Sequence, residues 1–279
     1  MRKLILCLLI CLPLMGQAKR SVFMITDAEG VAGVCRQDQT DPKDSEMRQL
    51  LTGEINAAVQ GFLEGGAEEV IVWDGHDGSQ TLSALTIEPR ARLIIGGLGP
   101  TMLMERGFAA VAFIGQHARA NRRGGIMAHS YSSLGIQNMF MNGKPVGEIE
   151  TRAALAGWFQ VPVIFLSGDQ AAADDLRAIV PDAEMAVVKE GLSNYSCITL
   201  SADAARRLIR ERARASMAKI GKIRPYRLEG PVTFQIEHTS RHALGVDAGT
   251  RPGVEIIDAR TTRYTGKDFL QAWTLSRSY

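Results

Sequence analysis

Asp27-Ala28-Glu29-Gly30 places two acids directly after the apolar run Val22–Ile25, and two histidines stand in the same relation to two other runs. His76 follows Val70–Trp73 in Trp-Asp-Gly-His-Asp, and His117 follows Ala110–Ile114 in Ile-Gly-Gln-His-Ala-Arg. Glu148, in Pro-Val-Gly-Glu, completes the set. If the three runs are neighbouring parallel strands, Asp27, His76 and His117 emerge at one carboxyl edge, where an open α/β sheet has its ligand crevice. Three carboxylates and two neutral imidazoles meeting there would repel one another unless positive charge lay between them. Mixed imidazole and carboxylate donors suit zinc-like divalent cations, most simply a pair of them. The expectation is a metal-dependent hydrolase with Asp27, Glu29, His76, His117 and Glu148 as metal ligands.

Taken singly, each of these residues has an ordinary use. Asp27 could cap a helix, His76 could sit in a turn, and Glu148 could complement a helix dipole. Their joint placement argues otherwise. A spacing of two puts Asp27 and Glu29 on one face of a continuing strand, or lets both reach one ion at a strand end. Asp74 and Asp77 flank His76 and are candidates to hold its imidazole in one tautomer. His129, in Ile126-Met127-Ala128-His129-Ser130, lies in a glycine-flanked loop and is the candidate for chemistry rather than metal binding. Oxyanion stabilisation, proton transfer and nucleophilic attack all stay open for it. Arg119, Arg122 and Arg123 could hold a substrate carboxylate or remain solvated. His238 and His242 read as surface or structural. No Gly-x-Ser-x-Gly elbow is present, which disfavours a serine hydrolase. Gly96-Gly97-Leu98-Gly99 lacks the spacing of a dinucleotide fingerprint.

The elements that must position these residues alternate through the first two-thirds of the chain, the habit of a mostly parallel sheet with flanking helices. A long amphipathic helix is expected over Asp41–Gly65, with Met47, Leu50, Leu51, Ile55, Ala58, Val59 and Phe62 at three- and four-residue intervals. Strands are expected at Arg92–Ile95, Pro162–Leu166 and Glu184–Val188, and helices over Gly147–Phe159 and Asp169–Val180. Met139-Phe140-Met141 meets Asn142-Gly143, a hairpin signal. Ser201 is placed to cap a basic helix, whose Leu208, Ile209, Ala213 and Met217 fall at helical spacing. Thr233–Glu237 and Val254–Ile257 read as strands of a smaller C-terminal α+β subdomain, closed by a helix over Asp268–Leu275. The expected division is a signal peptide over residues 1–18, an α/β catalytic unit over 19–190 and the subdomain over 191–279.

Arg2 and Lys3, the apolar run Leu4–Met15 and the small residues around Ala18 have the pattern of a cleaved export signal, too short to span a bilayer. The mature chain would be secreted or periplasmic. Cleavage removes the two leading charges, so the net charge of +2 falls to zero. A neutral chain gives no reason to expect nucleic acid or an anionic membrane as a partner. Of four cysteines, Cys35 and Cys197 remain. They could pair outside the cytoplasm, but a chain of this length has core enough without a staple.

The residues just described resemble those of the D-aminopeptidase family of dipeptide-operon enzymes, the M55 metallopeptidases. The matching segments run in order: Asp27-Ala-Glu-Gly, Asp74-Gly-His76, Gly115-Gln-His117-Ala-Arg, Met127-Ala-His129-Ser, Asn142-Gly-Lys-Pro-Val-Gly-Glu148 and Val187-Val-Lys. The resemblance implies a zinc-dependent aminopeptidase with two Zn2+ per subunit, acting on short peptides with an N-terminal D-amino acid. It implies one zinc on Asp27, Glu29 and His76, the other on Asp27, His117 and Glu148, and His129 as the catalytic histidine. It also implies a homo-oligomer, a decamer of two stacked five-membered rings. The stretch around Gly75 and Asp77–Gln80 departs from the family's usual residues, and an export leader is unusual for it. Two other readings fit the same residues: a di-metal hydrolase of another amide or of a phosphoester, and an exported binding protein without chemistry.

Overall fold

A computed structural model of the chain describes residues 19–241 and 250–277. The expected signal segment and His242 therefore lie outside the described residues. The strands that carry the chemistry are β1 (Ser21–Thr26), β2 (Glu69–Trp73), β3 (Ala91–Ile94), β4 (Ala110–Gln116), β7 (Val163–Asp169), β8 (Glu184–Ser193) and β9 (Ser196–Thr199). They form one sheet in the order β3-β2-β1-β4-β7-β8-β9, parallel throughout except for β9, which folds back on β8. β1 and β4 are buried along their whole length, as apolar runs inside a parallel sheet must be. The chain passes from β1 to one side and returns through β4 on the other. That reversal of strand order opens a crevice above the carboxyl ends of β1 and β4.

Helices flank this sheet: α1 (Ser45–Glu64), α2 (Glu148–Trp158), α3 (Gln170–Ile179) and α4 (Ala202–Ser216). α1 and α4 pack together, and α2 packs with α3. α1 begins four residues later than expected because Asp44 caps it, its carboxylate accepting from Met47 N–H at 2.7 Å. The face of Met47, Leu51, Ile55, Ala58, Val59 and Phe62 is buried, as the periodicity requires. Asp169 and Ser201 cap α3 and α4 through Ala172 and Ala204.

A second sheet takes β5 (Ile136–Met141), β6 (Lys144–Pro145), β10 (Val232–His238), β11 (Val254–Ile256) and β12 (Thr261–Gly266), in the antiparallel order β11-β12-β10-β5-β6. The β5–β6 turn is the expected Asn142-Gly143, both residues at positive φ. α5 (Phe269–Ser276) packs on β12 and β10, with Phe269 and Trp273 against Phe234. The strands of this sheet come from both sides of residue 190, while α4 and β9, both beyond it, belong to the first sheet's layer. β9 and β12 are additions to the expected elements.

Cys35 and Cys197 are disulfide-bonded, their Cα atoms 6.1 Å apart and 162 residues apart in sequence. The sequence left this pairing open. The β8–β9 hairpin folds back over the loop that follows β1 and brings the two together, which no sequence spacing reports. Among the described residues no helix is long and apolar enough to cross a membrane.

Candidate metal centre

The loop after β1 must run close beneath the loop after β4 for their side chains to meet. Asp27 N–H donates to the Ile114 carbonyl and Gly30 N–H to the Gly115 carbonyl, each at 2.8 Å. Gly30 and Gly115 make that approach possible. A Cβ on Gly30 would stand 2.1 Å from the Gln116 carbonyl oxygen, and one on Gly115, at φ 70°, would stand 2.1 Å from that of Asp27. The same loop is pinned from beneath by Lys189 of β8, buried, whose Nζ donates to the carbonyls of Glu29 and Val34 and, at 3.0 Å, of Val31. Glu54 of α1 accepts from Ala32 N–H at 2.9 Å.

All five expected ligands are buried; Asp27, Glu29, His76 and Glu148 line one crevice, and His117 lies against Asp27 beside it. His76 Nδ1 lies 3.1 Å from Asp27 Oδ1 and 3.3 Å from Glu29 Oε2. His117 Nε2 lies 3.7 Å from Asp27 Oδ2. Two groups can each offer donor atoms within 4.8 Å of one another: Asp27, Glu29 and His117, and His117, His129 and Glu148. Glu148 opens α2, but Glu150 supplies the cap there, its carboxylate accepting from Gly147 N–H at 2.8 Å. Glu148 is thus released to the crevice, where Oε1 accepts from Tyr131 N–H.

Hydrogen bonds to backbone carbonyls set the tautomer of each imidazole, because a carbonyl can only accept. His76 Nε2 donates to Thr40 O at 2.8 Å, His117 Nδ1 to Ala118 O at 2.9 Å and His129 Nδ1 to Met127 O at 2.9 Å. Once the ring is neutral, its other nitrogen carries the lone pair, as at metal-bound histidines. Thr40 thus takes the role expected of Asp74 and Asp77. Asp74 instead accepts from Thr81 and Leu82 N–H, both at 2.9 Å, and Asp77 lines the crevice mouth.

The electrostatics ask for a cation. Burial by itself would lower the pKa of His76, but its hydrogen bond with Asp27, the close approach of Glu29 and the charges of both push it up to about 11. Burial likewise opposes protonation of His117, and Glu148, Asp27 and Glu29 outweigh it, raising the ring to about 9. Burial and the charge of Glu29 raise Asp27. Glu29, despite its burial, is held well below the usual carboxylate range by His76. Without metal, protons on the two imidazoles stand in for the missing positive charge. Glu29 Oε2, His117 Nε2 and Glu148 Oε2 are buried without a hydrogen-bond partner, a costly state that a bound divalent ion would relieve. The donor set fits a zinc-like metal.

The crevice holds about 830 Å³ and is also lined by Trp73, His129, Tyr131, Arg152 and Arg277. His129 stacks on His117, ring centroids 4.0 Å apart. The expected carboxylate-binding arginines do not reach it. Arg119 and Arg122 face Asp175 of α3, at 3.9 and 3.0 Å. Arg152, Tyr131 and Thr40 carried no sequence signal of their own, and Lys189 was visible only as the end of the Val-Val-Lys segment.

A family model for D-aminopeptidases, peptidase family M55, matches residues 21–278. The chain belongs to the D-aminopeptidase family. It is therefore an enzyme of a peptidase family, matched over most of the chain. A D-aminopeptidase of Bacillus subtilis is 30% identical over 259 residues, covering 90% of this chain and 93% of that protein. Among solved structures, the fold is similar to that of the Zn-dependent D-aminopeptidase DppA from Bacillus subtilis, described as a self-compartmentalizing protease. The TM-score is 0.83 at 28% identity, over 92% of this chain and 95% of that one.

Proposed function

We propose that this D-aminopeptidase family member is a zinc-dependent aminopeptidase that removes D-amino acids from the amino end of short peptides, with two zinc ions in each subunit. One observation carries the reading: buried, unpartnered oxygens of Glu29 and Glu148 and the unpartnered Nε2 of His117 converge with Asp27 at the strand-order reversal. Asp27, Glu29 and His76 would hold one ion, and Asp27, His117 and Glu148 the other, with Asp27 shared. Bound there, zinc would polarise a scissile carbonyl and lower the pKa of water toward about 7. His129, its Nδ1 proton given to Met127, presents Nε2 to hold or move a proton on the flank of His117. The names of the similar Bacillus proteins support the choice of zinc and of D-amino acids.

The export segment Leu4–Met15 and the Cys35–Cys197 disulfide support a secreted or periplasmic location, since disulfides persist in oxidising compartments. Assembly into a homo-oligomer, a decamer by family resemblance, is supported by exposed Leu192, Tyr195 and Ile198 on the β8–β9 hairpin. The test is metal analysis of the purified protein with hydrolysis of stereochemically paired D- and L-peptides, with and without chelator. Activity on D-peptides that chelator abolishes and zinc restores is expected. A chelated protein that remains fully active would exclude the metal reading, and equal rates on L-peptides would exclude the stereochemical one.

A further inference from the structure

Arg152 stands on α2 one turn after Glu148, so a helix that delivers a ligand to the crevice also delivers a guanidinium. It is 7% exposed, and its Nη1 has no hydrogen-bond partner among the described residues. The nearest carboxylate oxygen is Asp27 Oδ2, at 4.0 Å. Two aromatic walls hold the group in place, with the Trp73 ring centroid 5.7 Å and the Tyr131 centroid 5.6 Å from Cζ. A guanidinium stays charged at every physiological pH, and burying it without an anion is costly.

Cation binding at Asp27 would leave Arg152 worse placed. The carboxylate that balances it would be committed to the metal, and a buried cation would face divalent charge. An anion arriving with the substrate restores the balance. His129 already occupies the flank of His117, so Arg152 is free for a group beyond the reacting carbonyl. Arg277, which also lines the crevice and lies over the Tyr131 ring at 4.4 Å, adds positive charge on the same wall.

We propose that Arg152 receives the free α-carboxylate one residue beyond the scissile bond, and so selects dipeptides over amidated peptides. The proposal rests on the peptidase reading above and adds a specificity-determining residue to it. The planar fork of arginine matches a carboxylate with two parallel hydrogen bonds, which lysine does not reproduce.

The experiment compares D-Ala-D-Ala with its C-terminal amide on zinc-loaded wild type, Arg152→Met and Arg152→Lys, with zinc content and circular dichroism measured on each preparation. Wild type is expected to favour the acid by about 10- to 100-fold in kcat/KM, mostly through KM, as loss of a charge-assisted hydrogen bond implies. Arg152→Met is expected to erase that preference by losing activity on the acid alone, with zinc content unchanged. Arg152→Lys is expected to keep part of the preference, which preserves the test should the methionine variant fail to fold. Equal rates on acid and amide in wild type, or an equal fall on both in the variants, overturns the carboxylate role and leaves the peptidase reading standing. Should zinc-loaded wild type hydrolyse neither peptide, the peptidase reading fails. Calorimetric binding of the two peptides to the same protein then still decides the clamp, equal affinities overturning it.

Discussion

Each imidazole in the crevice donates one N–H to a backbone carbonyl and turns its other nitrogen inward. For His76 and His117 that nitrogen meets carboxylates, which keep it protonated until a metal takes the proton's place; for His129, stacked on His117, it is left to the crevice that the residue lines. The three rings are alike in their hydrogen bonding and differ in what they face, which is why His129 is assigned to proton handling and the other two to the metals. The distinction is testable because His129 could also ligate alongside His117 and Glu148. In His129→Ala, turnover should fall by about 10²- to 10⁴-fold, the usual contribution of a positioned acid–base group, with zinc content unchanged. Emission spectroscopy for zinc and steady-state kinetics check both halves. A variant that loses one zinc per subunit would make His129 a ligand. Removing Glu148 should do the reverse: Glu148→Ala should lose metal before any chemistry can be measured.

At the scale of elements, the loop after β1 carries two of the proposed ligands and, beyond the hydrogen bond from Ala32 N–H to Glu54, is fastened three ways. Lys189 holds its carbonyls, Gly33 N–H donates to Thr199 Oγ1 at 2.9 Å, and Cys35 is bonded to Cys197 of β9. Lys189→Met should leave the buried carbonyls of Glu29 and Val34 unsatisfied, while that of Val31 keeps Val34 N–H at 3.2 Å, and cost roughly 2 kcal/mol or more, visible as a fall of several degrees in Tm. Cys35→Ser with Cys197→Ser should cost about 2–4 kcal/mol, the usual effect of removing a native disulfide. Both should weaken zinc binding in an equilibrium titration, and unaltered affinity would show that the loop holds its shape without its fasteners. The sequence showed the loop's contents and not its fastenings. Asp27, His76 and His117 were legible because each directly ends an apolar strand run, and α1 because seven apolar residues keep helical spacing. β12, Thr261–Gly266, was hidden because Thr-Thr-Arg-Tyr-Thr-Gly has hardly any apolar alternation to read. Arg152 looked like any helical arginine until α2 was set beside the crevice. Pairing of Cys35 with Cys197 and the entry of β5 and β6 into the second sheet are long-range events, and local spacing carries no trace of them.

At the scale of the whole molecule, the charge trapped in the crevice should tie folding stability to pH in opposite ways with and without metal. His76 and His117 have folded-state values of about 11 and 9, above the ordinary histidine value of 6.5. Without metal, their protonation therefore stabilises the fold in full below about pH 6.5, and that contribution is lost as pH rises through 9 toward 11. Asp27, raised by burial and by Glu29, has the same sign: its contribution is full below the ordinary carboxylate value and is lost as pH rises above it. Glu29, held low by His76, works at the other end: its contribution is present above the ordinary carboxylate range and lost as pH falls below it. Zinc reverses the alkaline limb, since it binds only deprotonated imidazoles and stabilises the fold in proportion to its affinity. Thermal melts of chelated and zinc-loaded protein between pH 6 and 9 should therefore diverge. The Tm of the chelated protein should fall across that range while the zinc-induced increment grows, and activity should decline as pH drops through 7 toward 6. Parallel curves would mean that the imidazoles are not where metal and proton compete, and the assignment of His76 and His117 as ligands would fall with them.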